Sequence, residues 1–219
     1  MLRIFNQHAA IIVRSLYFIA CFFNSSIRTD FQTIERSILS RIFNNPELIR
    51  TILLAEDKRF FEHSGIDIRA IARASYRSIF CNRLEGGSTI EQQYVRIVTE
   101  RRDISLSRKI RECILATKLS ETFSKDEILS SYLLKYKFAG NVQGIEELAC
   151  QMNFDLTLAS MDKFSLLAAR LKYPFVKPNY PLLLQRVSMI SKLSNITRLP
   201  QQNVQEINKT FLLGLVSKV

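Results

Sequence analysis

Two carboxylates and one helix start in this sequence have the residue types and spacing for group-transfer chemistry. Glu56 follows Ile52 by four residues and Leu53 by three, so a helix through this segment places its carboxylate on or beside an apolar face. A carboxylate in that position costs free energy unless it has a partner or a function. Glu56 is therefore a candidate general base, a group that takes a proton from an attacking hydroxyl.

The segment Gly86-Gly87-Ser88-Thr89 predicts a helix N-terminus with free backbone N–H groups. Such an end binds anions through those donors and the helix dipole, although an ordinary cap without a ligand is the alternative. Ser88 followed three residues later by Glu91 is a capping-box pattern. It predicts that Glu91 folds back onto the cap. The alternative is that Glu91 points away and pairs with a cation such as Arg96.

The third candidate is the run Arg108-Lys109-Ile110-Arg111-Glu112. Arg108 precedes Glu112 by four residues and Lys109 precedes it by three, so all three can share one helix face. One interpretation is an exposed ion pair, which contributes little to stability. The other is a carboxylate held among cations that also bind a phosphate. Combined with Glu56, the second interpretation suits transfer of a glycosyl group away from a phosphate leaving group.

Helices must position these residues, since Gly and Pro number only 6 and 5 and no long alternating segment suggests a strand. The pattern predicts an all-α protein. Predicted helix starts are Asn45 with Pro46, Asp67, Ser88, Ser105, and Ser124 with Glu127. Later helical patterns fall near residues 144–152, 160–171, 181–193 and 200–213.

Charge and cysteine content exclude fewer classes of function than the motifs do. A formal net charge of +11 attracts polyanions: nucleic acid, anionic lipid headgroups or phosphorylated substrates. The four cysteines include no CxxC pair and the two His residues offer no zinc spacing. We therefore expect neither a structural metal nor a disulfide framework.

The apolar segment Ala9–Phe23 is interrupted by Arg14 and Ser15, and it is shorter than the roughly 20 residues of a spanning helix. It is consistent with a membrane anchor, an interfacial helix, an imperfect signal peptide or a buried terminal helix. We favour membrane association. The predicted organisation is an N-terminal apolar segment over residues 1–30, followed by one domain over residues 31–219.

The motifs as a set resemble those of the peptidoglycan glycosyltransferases, glycosyltransferase family 51. Glu56–Asp67 resembles the E-D-x-x-F-x-x-H-x-G-x-D motif, Gly86–Gln93 resembles G-G-S-T-I-T-Q-Q, and Arg108–Glu112 resembles R-K-x-x-E. Ser124–Leu133 matches the helix that follows, and residues 144–146 and 167–174 are similar to the last two motifs. The motifs keep the family order and cover roughly Leu48 to Tyr180.

The resemblance implies a lysozyme-like two-lobed all-α fold with a small membrane-associated lobe. It also implies a monofunctional enzyme that polymerises lipid II with inversion and releases undecaprenyl pyrophosphate. Glu56 resembles the catalytic base, and Glu112 the second catalytic carboxylate. The substrate- and phosphate-binding positions implied are Asp57, Phe60, His63, Ser88, Thr89, Gln92, Gln93, Arg96, Arg108 and Lys109.

The same resemblance implies a location at the cytoplasmic membrane, with the domain on its outer, periplasmic face. The expected partners are lipid II, the nascent glycan strand and the membrane surface; cell-wall synthesis proteins are compatible with it and nucleic acid is not expected. No cofactor is required, although a divalent cation assists some family members. This sequence shows no ligand cluster for such a cation.

Four positions depart from the family pattern. Glu91 stands where Thr is usual, Ile97 replaces Asn, Ser120 replaces Glu, and Leu134 replaces Asn. Glu91, Ser120 and Leu134 favour an alternative hypothesis, a non-catalytic lipid II or glycan-binding relative that scaffolds or regulates cell-wall synthesis. The intact Glu56 and Glu112 favour the enzyme. A wall-cleaving lytic relative is a third hypothesis, disfavoured because the anion-site motifs suit a pyrophosphate leaving group.

Overall fold

The structure is a computed structural model that describes residues 15, 17, 19–22, 25–81, 86–101, 103–136, 138, 142–157, 159–174 and 178–193. The described residues form helices and contain no β-strand, which confirms the all-α class. The helices with defined bounds are α1 Ser25–Ser37, α2 Pro46–Glu56, α3 Ile68–Phe80, α4 Ile90–Thr99, α5 Leu106–Thr122, α6 Lys125–Lys135, α7 Ile145–Gln151, α8 Met161–Lys172 and α9 Tyr180–Leu193. A short 3₁₀ turn covers Phe60–Glu62.

The described chain divides into two compact units. The first unit contains the described residues up to Phe43 together with Arg59–Lys135, and the second contains Asn44–Lys58 together with the described residues from Tyr136 onward. Helix α1 runs through residue 30, where the sequence places the end of an N-terminal segment. That domain boundary stays a prediction.

In the first unit, α4 packs against α1, α5 and α6. Its buried face includes Tyr94, which is fully buried and whose hydroxyl donates to the Ser37 carbonyl at 3.0 Å. Apolar side chains of the neighbouring helices complete this core, among them Ile34, Leu115 and Ile128. Helix α4, which carries several of the predicted site residues, is therefore in contact with three other helices.

In the second unit, α2 packs against α8 and α9, and α8 also packs against α7. Helix α2 begins as predicted, because the Asn45 side chain accepts from the Leu48 N–H at 3.0 Å and Pro46 occupies the first turn. Its last residue is Glu56. Buried Leu48 and Ile52 anchor the helix in the core of this unit.

Most predicted helix starts are confirmed. Asp67 accepts from the Ala70 N–H at 3.0 Å, Ser105 accepts from the Arg108 N–H at 3.1 Å, and Ser124 forms the predicted capping box with Glu127. The predicted cap at Ser88 is wrong, since Thr89 is the residue that caps α4. The helical pattern over residues 200–213 lies outside the described residues.

The apolar segment Ala9–Phe23 is described only at residues 15, 17 and 19–22, which are helical. The other residues of that segment lie outside the described part of the chain. Of the helices that the structure describes, none combines the length and apolar content needed to cross a membrane.

Gly65 fixes the turn that precedes α3. Its φ is +85°, in the left-handed region that residues with a Cβ rarely adopt. A Cβ added at Gly65 would lie 2.3 Å from the Ala116 carbonyl oxygen of α5, so the backbones of the turn and of α5 are in direct contact. The Gly65 carbonyl also accepts from the Thr89 hydroxyl at 2.8 Å. Gly65 therefore joins α5 to the start of α4.

We predict that Gly65→Ala lowers the free energy of unfolding by about 3 kcal/mol, because it adds backbone strain and a clash that helix backbone cannot relieve. Gly86→Ala is the matched control, since nothing lies within 4 Å of a Cβ added there. The control is expected to stay within about 0.5 kcal/mol of the wild type in urea unfolding followed by circular dichroism. Equal effects of the two substitutions would contradict the close-approach argument.

Candidate active site

Glu112 is the most strongly held carboxylate of the first unit. It lies on α5, is 3% exposed, and accepts two hydrogen bonds from Arg96 of α4. Arg96 Nε lies 2.8 Å from Oε1, and Nη2 lies 3.0 Å from Oε2. This paired geometry is the strongest form of arginine–carboxylate contact, and it fixes the orientation of both side chains.

Two further cations, Arg108 and Lys109 of α5, form a cation cluster around Glu112 together with Arg96. Arg108 donates to Oε1 of Glu112, and Lys109 Nζ lies 3.5 Å from Oε2. The predicted sharing of one helix face by Arg108, Lys109 and Glu112 is confirmed. The interpretation as an exposed ion pair is wrong, because the Glu112 side chain is only 4% exposed.

Charge and burial compete at this cluster. Burial opposes ionisation of Glu112, but the hydrogen bonds and charge of Arg96, together with Lys109 and Arg108, outweigh it and hold the pKa of Glu112 below its usual value. Burial also lowers the pKa of Lys109, although the nearby Glu112 carboxylate opposes that change. Three cations converge on one buried carboxylate, so this region presents more positive than negative charge and favours an anionic ligand.

The start of α4 lies beside this cluster. Lys109 Nζ donates to the Ser88 hydroxyl at 2.8 Å and to the Gln92 side-chain carbonyl at 3.1 Å. The cap itself is formed by Thr89 and Gln92, whose side chains satisfy each other's backbone N–H groups. Ser88 therefore precedes the helix and is held by Lys109, which places a hydroxyl and an ammonium group together at this helix end.

Other predicted site residues of the first unit are part of its packing. Phe60, His63, Thr89 and Gln92 are all buried, and the rings of Phe60 and His63 meet edge to face with centroids 6.3 Å apart. Gln93 accepts from the Tyr132 hydroxyl at 2.9 Å. Of these side chains, Gln92 contacts the cation cluster directly, through Lys109.

Glu56 belongs to the second unit and has a partner that the sequence did not reveal. Arg186 of α9 donates from Nη2 to Glu56 Oε1 at 2.7 Å and to the Ala55 carbonyl at 3.0 Å. The two side chains are 13% and 12% exposed, so the ion pair is largely shielded from water. Asp57 follows directly and ends α2, its N–H donating to the Leu53 carbonyl at 2.9 Å. The residue is 7% exposed.

The expectation that Glu91 completes the helix cap is wrong, because Thr89 and Gln92 form the capping box. Glu91 instead pairs with a cation, as the alternative expectation stated, and that cation is Lys125 where Arg96 had been the example. Glu91 is fully buried, and Lys125 is the first residue of α6. The His63 Nδ1 atom lies 3.9 Å from its Oε1. The other three departures, Ile97, Ser120 and Leu134, are half-buried.

Sequence reasoning missed Arg186 and Lys125 because each lies far along the chain from its partner. Arg186 is 130 residues from Glu56, and Lys125 is 34 residues from Glu91. From the sequence, Arg186 could be recognised only as an arginine on a predicted helix, and Lys125 only as a lysine next to a predicted cap. The family resemblance allows a divalent cation. The use of such a cation stays a prediction.

A buried carboxylate bound by cations beside a helix start can accommodate an anionic, phosphate-type ligand. The family model described as "Transglycosylase" matches residues 27–192. The chain therefore belongs to the transglycosylase family, and the family assignment supports the lysozyme-like form of the all-α fold.

Named relatives agree with this assignment. Penicillin-binding protein 1A of Aquifex aeolicus is 32% identical over 194 residues, which cover 84% of this chain and 27% of that protein. Penicillin-binding protein 1F of Bacillus subtilis is 42% identical over 103 residues, 46% of this chain and 14% of that protein. A monofunctional glycosyltransferase of Staphylococcus haemolyticus is 34% identical over 122 residues, 55% of this chain and 45% of that protein. The chain thus spans less than half the length of each of these relatives.

We predict that Glu112→Gln lowers the free energy of unfolding near neutral pH, because three cations lose the carboxylate that holds them. The folded-state pKa of Glu112 is lowered, so its stabilising effect is present above the pKa of an unfolded glutamate. The effect is lost as the pH falls through the lowered folded-state value. The difference between variant and wild type should therefore shrink on acidification.

Urea unfolding at a series of pH values from neutral to strongly acidic measures this difference. Glu121→Gln, on an exposed position of the same helix, is the matched control and should show a small difference at every pH. A Glu112→Gln offset that stays constant across the series would contradict the electrostatic account.

Proposed function

We propose that this chain is a peptidoglycan glycosyltransferase that polymerises lipid II into glycan strands with release of undecaprenyl pyrophosphate. The observation that carries the proposal is the buried Glu112 held by Arg96, Arg108 and Lys109 beside the start of α4. Such a cluster suits a pyrophosphate, since its charges are fixed before the ligand arrives. Membership of the transglycosylase family supports the same reaction class.

In the proposed reaction, the 4-hydroxyl of one sugar attacks the anomeric carbon of the growing chain. Glu56 accepts the hydroxyl proton as the new carbon–oxygen bond forms. The bond from the anomeric carbon to the pyrophosphate oxygen breaks with inversion, and the electron pair leaves with undecaprenyl pyrophosphate. Arg186 neighbours Glu56 and gives that carboxylate a defined orientation, which a general base requires.

The first unit supplies the proposed stabilisation of the leaving group. Arg96, Arg108 and Lys109 bring positive charge to the place where negative charge develops, and the Ser88 hydroxyl adds a neutral donor. Glu112 orients these cations. A carboxylate in their midst also keeps the cluster from binding the product too tightly, since it offsets part of their charge.

We also propose that the protein acts at a membrane surface, and α3 supports this. None of its residues is buried, and Tyr76, Ile79 and Phe80 are each at least 60% exposed. Arg69, Arg73 and Arg77 recur every four residues beside this apolar face. An exposed amphipathic helix with a basic stripe is typical of interfacial binding to anionic lipid. A location on the outer face of the cytoplasmic membrane follows from the proposed substrate.

We predict that Glu56→Gln abolishes glycan synthesis, because the amide cannot accept the hydroxyl proton. The test is incubation of the purified protein with labelled lipid II, followed by gel analysis of the glycan chains. A loss of at least about 100-fold in rate is expected, the usual contribution of general base catalysis. Glu47→Gln, on an exposed position of the same helix, is the matched control and should keep wild-type activity.

Substantial polymerisation by a folded Glu56→Gln protein would reject the assignment of the base. A wild-type protein that binds lipid II without polymerising it would instead favour the alternative, a non-catalytic binding relative. The substitutions at Glu91, Ile97, Ser120 and Leu134 keep that alternative worth testing in the same assay.

We predict that the double substitution Ile79→Asp with Phe80→Asp weakens binding to anionic phosphatidylglycerol vesicles by at least about tenfold, because two apolar side chains leave the interface. Leu182→Asp, an exposed apolar position in the second unit, is the control and should change binding little. Sedimentation with vesicles at low and moderate salt measures both. Unchanged sedimentation of the double variant would exclude α3 as the contact surface.

A further inference from the structure

Glu91 and Lys125 form a charge pair that the proposed reaction does not use. Glu91 is the second residue of α4 and is 0% exposed, and Lys125 is the first residue of α6 with a side chain 20% exposed. The Lys125 ammonium group bonds Glu91 Oε1 and also lies 4.4 Å from the centroid of the Phe60 ring. Lys125 thus makes one ionic contact and one cation–π contact.

The position of Glu91 gives this pair an electrostatic role. The first turn of α4 carries the positive end of the helix dipole, and Ser88 and the Lys109 ammonium group lie at the same end. A lone carboxylate in that turn would repel an anion bound there. The charge is buried, so solvent would screen the repulsion weakly. The Lys125 ammonium group cancels the carboxylate charge within the pair.

His63 and Lys125 are ionisable groups of the first unit that lie next to Glu91. His63 Nδ1 lies 3.9 Å from Glu91 Oε1, and Lys125 comes from the helix packed against α4. On the opposite side of α4, Arg96 and Lys109 are engaged with Glu112. Lys125 is thus the cation that meets Glu91 directly.

We propose that Lys125 is a positioning residue that neutralises Glu91 and so preserves anion binding at the start of α4. The inference rests on the proposed function, which assigns the donor pyrophosphate to this helix end. Lys125 acts through Glu91 and needs no contact with the substrate. It makes the departure from the usual residue at position 91 compatible with a phosphate site.

If Lys125 acts by neutralising Glu91, the variants should bind pyrophosphate in an order of affinity that a purely structural pair would not give. Lys125→Met leaves the carboxylate without its cation and should bind pyrophosphate about tenfold more weakly than the wild type. Glu91→Gln leaves an uncompensated cation and should bind more tightly than the wild type. The double variant has neither charge and should return close to wild-type affinity. A purely structural pair predicts instead that both single variants and the double variant are weakened.

The experiment titrates inorganic pyrophosphate into the full chain by calorimetry at low and moderate salt, for the wild type and the three variants. Lys135→Met, on the same helix as Lys125, and Asp126→Asn are the matched controls and should match the wild type. The differences among the charge variants should be smaller at moderate salt. Circular dichroism and thermal unfolding establish that each variant is folded.

Failure of the double variant to recover affinity, or unchanged affinity in a folded Lys125→Met protein, would overturn the inference. If Lys125→Met does not fold, the Glu91→Gln variant provides the test, because an unchanged pyrophosphate affinity in that variant also overturns the inference. Lipid II polymerisation is measured in parallel to separate the two proposals. If the protein polymerises lipid II but all variants bind pyrophosphate equally, the role of Lys125 is rejected and the enzymatic function is retained. The predicted affinity order without polymerisation supports that role and rejects the enzymatic function.

Discussion

The contact between Gly65 and α5 is the constraint on which the geometry of the first unit depends. A residue with a Cβ would overlap the Ala116 carbonyl, so only glycine lets the turn lie against the helix. The Gly65 carbonyl then accepts the Thr89 hydroxyl and fixes where α4 begins. Once that start is fixed beside α5, Arg96 further along α4 meets Glu112 of α5. The contribution of Arg96 to the cation cluster thus depends on this close backbone approach.

Glu112 and Glu91 are buried carboxylates of the first unit. Burial of each costs desolvation free energy, and a cationic partner offsets that cost. Glu112 is desolvated but is held by cations, and its pKa falls as a result. Glu91 is fully buried and paired with Lys125. Apolar residues in the same places would often give equal or greater stability, so such pairs are weak evidence for stabilisation. Such pairs do supply fixed, preorganised charge, which is the kind of environment that stabilises an anion.

Glu56 and Glu112 are both ion-paired to an arginine, yet their settings suit different roles. Glu112 is surrounded by Arg96, Arg108 and Lys109 within the first unit, a setting suited to holding cations in place. Glu56 ends α2 in the second unit, where the described contact is with Arg186. The two glutamates therefore differ in their surroundings.

The sequence by itself determined the features that depend on neighbours within one helical turn. Helix starts at Asn45, Asp67 and Ser105 follow from cap residues that bond backbone three positions away. The pairing of Arg108 with Glu112 follows from their spacing of four, which helix geometry brings together in any fold. The family motifs have the same local character, since each is a short run of residues.

Only the tertiary structure decided the contacts between distant segments. The bonds from Arg96 to Glu112 and from Arg186 to Glu56 join helices that no periodicity relates. The choice of Thr89 over Ser88 as the cap was also decided this way, because Thr89 meets a carbonyl of the Gly65 turn 24 residues earlier. Helical spacing fixes which side chains share a face, whereas packing fixes what that face meets. The sequence therefore singled out Glu56 and Glu112, and the fold supplied Arg186 and Arg96 as partners.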